Sequence, residues 1–114
     1  GGQPGTNNLN ADSRLHHLLK QMHENHHWIG AICAAPLVLA QTGLLAGRKA
    51  TCYPGVLEPT KWPEIELCQD AVMCDHHIIT SRGPGTAMAF ALLIIEKLVD
   101  VQTRQNVEAG LVIN

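Results

Sequence analysis

The sequence predicts an α/β domain in which helices pack on both faces of a mostly parallel β-sheet. Two observations support this fold class. Short apolar runs alternate along the chain with segments of helical periodicity, and residues 28–32 (WIGAI) are nearly all apolar, as in a strand that is buried on both faces. The chain has 114 residues, which is room for one domain.

The first predicted helix follows a loop. Residues 1–10 are rich in Gly, Pro and Asn, a composition typical of loops. Asp12 or Ser13 is suited to cap a helix that runs to about Asn25, because apolar side chains recur there at helical spacing. This apolar face consists of Leu15, Leu18, Leu19 and Met22. We expect the helix to lie on the sheet, with its polar face in water.

A strand, a helix and a second strand are predicted next. The strand at 28–32 precedes a helix at 34–40, in which Pro36 falls in the first turn, where its missing N–H costs nothing. Gly43 is suited to end that helix. The second strand is expected at 48–53, where a Pro-Gly pair follows it.

The rest of the chain is predicted to contain three strands and two helices. The first of these helices is apolar nearly all round, so we expect it to be buried against the sheet and a partner surface. In order, these predicted segments are a loop at 56–64, strands at 71–74 and 77–81, a tight turn at 81–86, helices at 87–99 and 101–108, and a strand at 111–113.

Composition excludes several classes of protein. Lys and Arg total 8 against 10 Asp and Glu, a net charge of −2, so the chain lacks the basic surplus of a nucleic-acid-binding protein. Its apolar runs are far shorter than the ~20 residues of a membrane-spanning helix. Hydrophobic residues make up 46% of the chain, enough for a folded core.

The four cysteines indicate a reducing compartment. No two of them have the C-x-x-C spacing of a zinc ribbon or a thioredoxin-type motif. We interpret them as reduced thiols in a cytoplasmic protein.

Seven histidines raise the possibility of a metal site. His23 and His27 are four residues apart, so they could share one helix face. No Cys or carboxylate completes a ligand set at a suitable spacing, and we therefore interpret the histidines as surface residues and predict no metal. His76 and His77 fit a hairpin turn.

Cys33 stands directly between the predicted strand and the predicted helix. A cysteine in this place is suited to be a nucleophile, since a helix N-terminus stabilises a thiolate through unpaired N–H groups and the helix dipole. The N–H groups of Ala34 and Ala35 can also bind a developing oxyanion. The sharp turn needs small neighbours, which Gly30 and Ala31 supply. A buried structural cysteine is the alternative, and the pattern alone leaves both interpretations open.

Four sequence motifs follow one another over nearly the whole chain. They are GGQPGTNNL at 1–9, AICAAP around Cys33, TCYPG at 51–55 and TSRGPGTAMAFAL at 80–92. Together they resemble the ThiJ/PfpI superfamily, in the branch that includes the Parkinsonism-associated deglycase and its YajL-type bacterial relatives.

The resemblance implies a flavodoxin-like, doubly wound sheet, a homodimer, and a reaction that needs neither a metal nor an organic cofactor. It implies that Cys33 is the nucleophile and that Cys33 is prone to oxidation to sulfinic acid. The backbone N–H groups of Gly2 and Ala34 correspond to the family's oxyanion donors. Tyr53 and Pro84 correspond to positions at the family's substrate pocket.

In the family the reactive cysteine is partnered by a protonated Glu on an N-terminal segment that has no counterpart here. Glu24 falls on the predicted polar helix face, and Glu58, Glu64 and Glu66 fall in a predicted loop region. We therefore expect residues 1–114 to be the C-terminal portion of a single domain. Its N-terminal βαβ half is expected as a separate or missing segment, and as a partner of this chain.

Two activities within the superfamily are disfavoured by the residues present. Its proteases place His directly after the nucleophile, where this sequence has Ala34, and its glutamine amidotransferases need a late His-x-Glu that the chain lacks. The resemblance then implies a glyoxalase or deglycase that acts on small aldehydes such as methylglyoxal through a hemithioacetal on Cys33. The alternative is a redox sensor or chaperone that uses oxidation of Cys33. An older family name refers to thiazole monophosphate synthesis, for which no residue here argues.

Overall fold

The structure, a computed structural model, describes residues 1–113. Over this range the secondary structure consists of α1 (Gly5–Asn10), α2 (Ser13–Glu24), β1 (Ile29–Ile32), α3 (Pro36–Gln41), β2 (Lys49–Ala50), β3 (Glu66–Leu67), β4 (Val72–Asp75), β5 (Ile78–Ser81), a 3₁₀ turn (Pro84–Thr86), α4 (Ala87–Leu98) and α5 (Val101–Leu111). The predicted α/β class is confirmed. Within these residues, no helix is long and apolar enough to span a membrane.

The central sheet has the strand order β1-β5-β4. Strands β1 and β5 are parallel, with Ile29 opposite Ile78 and Ile32 opposite Ser81, whereas β4 and β5 form an antiparallel hairpin. Strands β2 and β3 form a separate parallel pair. The sheet is therefore mixed, and the carboxyl ends of β1 and β5 lie side by side.

Helices cover both faces of this sheet, as predicted. On one face, Ile29 and Ala31 of β1 belong to a core that includes Leu39 of α3, and Leu19 of α2 packs against that core. On the other face, Gly30 lies against α4, since a Cβ at position 30 would be 3.1 Å from the ring of Phe90. Successive residues of β1 thus face opposite sides of the sheet and contact different helices.

The predicted loop at 1–10 is wrong in its second half, where α1 forms. The Thr6 N–H donates to the Gly2 carbonyl at 2.9 Å and the Asn8 N–H to the Pro4 carbonyl at 3.0 Å. Thr6 is fully buried, and α1 contacts α3. Tertiary packing therefore overrides the weak helix propensity of Gly and Asn.

The helix predicted after Asp12 is confirmed, and so is its cap. The Asp12 carboxylate accepts a hydrogen bond from the Arg14 N–H at 2.9 Å. Hydrogen bonds from the Arg14 guanidinium, together with this backbone bond, lower the pKa of Asp12 to about 2. The apolar face is only partly covered, since Leu18 remains 50% exposed.

The strand predicted at 48–53 is shortened to Lys49–Ala50. The cause is that the next N–H groups leave the ladder: the Thr51 N–H donates to Thr80 Oγ1 at 3.0 Å, and the Tyr53 N–H donates to the Cys33 carbonyl at 2.8 Å. The partner strand, Glu66–Leu67, has no apolar run that would have predicted it.

One prediction for the C-terminal part is wrong, and one stays a prediction. Of the α4 residues only Leu92 is buried within this chain, and Met88 and Leu98 are each more than half exposed, so the predicted burial of α4 on its outer side requires a partner surface. The strand predicted at 111–113 does not form, because α5 continues to Leu111 and Ile113 lines a cavity beside Met88. A short apolar run forms a strand only where a sheet edge receives it.

A core substitution tests this packing. Leu45 is 1% exposed, so Leu45→Ala leaves a cavity and should lower the free energy of unfolding by about 2–5 kcal/mol. The half-exposed Leu18 provides the matched control, and Leu18→Ala should cost less than about 1 kcal/mol. Urea denaturation followed by circular dichroism measures both, and equal losses would contradict the described core.

Candidate active site

Cys33 occupies a sharp turn directly after β1. Its φ is +66°, in the left-handed region that residues with a Cβ rarely adopt. The Cys33 N–H donates to the Ser81 carbonyl at 3.0 Å, and the Cys33 carbonyl accepts from the Tyr53 N–H at 2.8 Å. Hydrogen bonds to two other segments therefore fix both polar groups of the Cys33 backbone.

The chain enters α3 within three residues of Cys33, slightly later than predicted. The Ala35 N–H donates to the Ile32 carbonyl and the Leu37 N–H to the Ala34 carbonyl, each at 3.1 Å. Among residues 1–113, these turn hydrogen bonds leave the Ala34 N–H unused. The N–H group that the sequence predicted as a donor at Ala34 is thus available next to Cys33.

The N-terminal glycines pack against the same turn. A Cβ at Gly1 would lie 2.8 Å from the Ile32 carbonyl oxygen and 3.2 Å from the Cys33 Cβ, so only glycine fits there without displacing backbone. Gly2 has a φ of +72°. The structure therefore brings the Gly1-Gly2 pair to Cys33, where the sequence predicted an oxyanion donor.

Tyr53 lies beside this turn and is half exposed. Its ring covers Gly83, since a Cβ at position 83 would be 3.3 Å from Tyr53 Cδ2. Tyr53, Cys52, Cys68 and Arg82 share a cavity of about 240 Å³. Arg82 was noted only as part of a motif, and its guanidinium now adds a positive charge to this cavity.

Pro84 is placed differently from the other predicted site residues. It begins the 3₁₀ turn and lines a second cavity of about 440 Å³ with Met88, Arg104 and Ile113. The structure thus brings the Gly1-Gly2 pair, Ala34 and Tyr53 to Cys33, whereas Pro84 lies one residue from the Gly83 that Tyr53 covers.

Thr86 holds the loop that follows β5. Its hydroxyl lies 2.7 Å from Ser81 Oγ and donates to the Gly83 carbonyl at 3.0 Å, and the Gly83 N–H donates back to it at 3.0 Å. Ser81 Oγ donates to the Ala71 carbonyl at 2.8 Å. This network positions Ser81, whose carbonyl accepts from Cys33. The sequence signal was the Ser-Arg-Gly-Pro-Gly-Thr run, which marks a turn but not its bonds.

The other three thiols are poor nucleophiles at neutral pH. Burial raises the pKa of Cys52, an increase that the Leu57 backbone and the Arg82 charge partly offset. Burial also raises the pKa of Cys68 and of Cys74, and nearby carboxylates raise both further. A raised pKa keeps a thiol protonated, and the protonated form is not the nucleophile.

The described residues place neither a hydrogen-bond partner on the Cys33 thiol nor a cluster of three metal ligands in the chain. Within residues 1–113, Cys33 Sγ makes no hydrogen bond, and no three His, Cys, Asp or Glu side chains converge on a position for a metal ion.

These features agree with the comparison to known proteins. The model of the DJ-1/PfpI family matches residues 1–97. The chain belongs to the DJ-1/PfpI family. The predicted family resemblance is confirmed, and with it the flavodoxin-like fold, of which this chain contains a part.

Individual relatives match over nearly the whole chain. Protein dj-1beta of Drosophila melanogaster is 40% identical over an aligned length of 114 positions, which covers 99% of this chain and 60% of the relative. Its crystal structure has a TM-score of 0.91 at 38% identity, covering 100% of this chain and 61% of that one. The protein named glutathione-independent glyoxalase DJR-1.2, of Caenorhabditis elegans, is 39% identical over 97 residues, 85% of this chain and 52% of the relative. This chain therefore spans about 60% of the length of the first of these relatives.

Thiol labelling tests the distinction among the cysteines. With iodoacetamide at pH 7.5, Cys33 should be alkylated roughly tenfold faster than the other three, whose raised pKa holds them protonated. Raising the pH should narrow the difference in rate, because the fraction of Cys52, Cys68 and Cys74 present as thiolate then increases. Peptide mass spectrometry measures each rate. Fastest labelling of a thiol other than Cys33 at pH 7.5 would contradict this assignment.

Proposed function

We propose that this protein is a cofactor-free, cysteine-dependent glyoxalase or deglycase that acts on small reactive aldehydes such as methylglyoxal. The observation that carries the proposal is the left-handed turn at Cys33, with the free Ala34 N–H beside it and the Gly1-Gly2 backbone against it. Membership of the DJ-1/PfpI family supports the same activity, as does the relative named as a glutathione-independent glyoxalase.

In the proposed first step, the Cys33 thiolate attacks the aldehyde carbon and forms a C–S bond. The carbonyl π electrons move to oxygen, and the N–H groups of Ala34 and Gly2 stabilise the resulting oxyanion. Protonation of that oxygen gives a hemithioacetal. Tyr53 and Arg82 line the neighbouring cavity and are suited to contact the rest of the substrate.

The second step moves one proton from the former aldehyde carbon to the adjacent carbon and the hydroxyl proton to the ketone oxygen, which gives a thioester of a hydroxy acid. Water then cleaves the C–S bond, releasing lactate from methylglyoxal and restoring the Cys33 thiol. This transfer needs an acid–base group, and we propose that a Glu from chain that precedes Gly1 supplies it.

The exposed edge of the sheet supports such an N-terminal half. Among the described residues, β1 pairs only with β5 and its other edge carries no strand. Two apolar hollows adjoin this edge, and Ile29 and Gly30 line both. An unpaired edge with apolar hollows beside it is the surface that a further strand and helix would cover.

A homodimer and a cytoplasmic location complete the proposal. A dimer would cover the exposed apolar side chains of α4, of α5 and of the residues after them. These side chains include Met88, Leu98 and Leu111. All four cysteines are free thiols, which is typical of a reducing compartment.

Replacing the nucleophile tests the activity. Cys33→Ser should lower kcat/KM for methylglyoxal by about 10³-fold or more, because a serine hydroxyl stays protonated in this turn. Cys74→Ser, a matched change on β4, should retain activity within about threefold. Methylglyoxal loss and lactate formation are measured with the protein as isolated, with any N-terminal fragment bound. Turnover that survives Cys33→Ser would exclude Cys33 as the nucleophile.

A redox sensor or chaperone is the second candidate. The half-buried Cys33 thiol makes no hydrogen bond within residues 1–113, and one similar solved structure, 34% identical with a TM-score of 0.86, is titled Toxoplasma gondii DJ-1, oxidized. If the unmodified protein consumes no methylglyoxal while peroxide selectively oxidises Cys33, the sensor replaces the enzyme as the assigned function.

A further inference from the structure

Two histidines that are far apart in sequence are in contact near the amino ends of β1 and β5. His23 lies in the last turn of α2, and His77 lies in the turn between β4 and β5. His23 Nδ1 and His77 Nε2 are 54 residues apart in sequence and lie 3.0 Å from each other in a hydrogen bond, so one of the two nitrogens carries the proton between them. The ring centroids are 5.0 Å apart with an interplanar angle of 27°. Both residues are half-buried.

This pair is separate from the candidate active site. His77 precedes β5, whereas Cys33 packs against Ser81 at the other end of that strand. Four residues of strand place the two sites about 10 Å apart or more. The contact therefore plays no part in the steps proposed at Cys33.

The distance between the two nitrogens suits a shared metal ion. At a metal–nitrogen distance of about 2.0–2.1 Å, two ligands at a right angle lie about 2.9 Å apart, and two at the tetrahedral angle about 3.3 Å apart. The observed separation of 3.0 Å falls between these values and is nearer to the right angle. Right-angled pairs of nitrogen ligands are typical of Ni²⁺ and Cu²⁺.

Among the described residues, the groups around the pair supply no third protein ligand, and one of them carries a positive charge. The His26 ring stands edge-on to His77 with the centroids 5.8 Å apart, and within residues 1–113 no third ligand converges with the pair. Arg48 lies near His77 and disfavours a cation, but its guanidinium is 3.8 Å from the Asp75 carboxylate, which offsets that charge.

We propose that His23 and His77 form a two-imidazole site for a late first-row transition-metal dication such as Ni²⁺ or Cu²⁺, with water as the remaining ligands. On binding, the ring that donates the hydrogen bond shifts its proton to its other nitrogen, which frees a lone pair on both facing nitrogens. The ion lies off the line joining these nitrogens, so each ring turns slightly to aim its lone pair. Because the ligands come from α2 and from the β4–β5 turn, the bound ion ties the helix to the hairpin. The ion stabilises the fold as any ligand of the folded state does.

Ni²⁺ is the probe, because it binds imidazole and does not oxidise thiols under these conditions. Calorimetric titration of the protein as isolated should show one Ni²⁺ per chain, and scanning calorimetry should show a Tm about 4 °C or more higher with saturating Ni²⁺ than with EDTA. His23→Gln and His77→Gln should each weaken binding by about tenfold or more, since each leaves a single imidazole. His27→Gln is the matched control and should bind as the unmodified protein does.

The His27→Gln control also distinguishes the His23–His77 site from a site formed by His23 and His27, which are four residues apart in sequence. If His27→Gln weakens binding as much as His23→Gln while His77→Gln does not, the site is local to the helix end and the proposal is wrong. Absence of Ni²⁺ binding below millimolar concentration would also overturn it.

A measurement without substitution covers the case in which a variant fails to fold. In the NMR spectrum of the unmodified protein, paramagnetic Ni²⁺ should broaden the imidazole signals of His23 and His77 before that of the exposed His17. Equal broadening of all histidine signals would contradict the proposal.

Discussion

Cys33 keeps its left-handed backbone because segments on two sides hold it. A residue with a Cβ in this conformation costs roughly 1–2 kcal/mol, and a backbone hydrogen bond contributes about 1 kcal/mol. The bonds to Ser81 and from Tyr53 therefore offset the strain. Parallel pairing of β1 with β5 brings Ser81 alongside, and the early end of β2 frees Tyr53 to reach across. The turn at the proposed nucleophile thus depends on both strand arrangements.

Close packing around the turn explains several small residues. A side chain at Gly1 would press on the Ile32 carbonyl, and one at Gly30 would press on the Phe90 ring. Beyond β5, Thr86 ties its loop to Ser81, whose carbonyl in turn holds Cys33. Substitutions at these positions would act on the Cys33 thiol through the backbone.

Much of the fold and of the candidate site could be predicted where the determinants are local. Consecutive residues determine the order of strand, Cys33 and helix, and they also determine the Asp12 cap. Features that depend on distant partners could not be predicted. Helix α1 packs against α3 with Thr6 buried, and residues 111–113 join no sheet. The contact of His23 with His77 links positions 54 residues apart, and neither residue has a local signal for it.

Trapping the covalent intermediate tests whether Cys33 is the nucleophile. The protein as isolated is mixed briefly with methylglyoxal, quenched in acid, and analysed by intact and peptide mass spectrometry. We expect the added mass of one methylglyoxal to appear first on the peptide that contains Cys33 and to disappear as lactate forms. An adduct that appears only on other cysteines or on basic side chains would show that this turn does not carry the nucleophile.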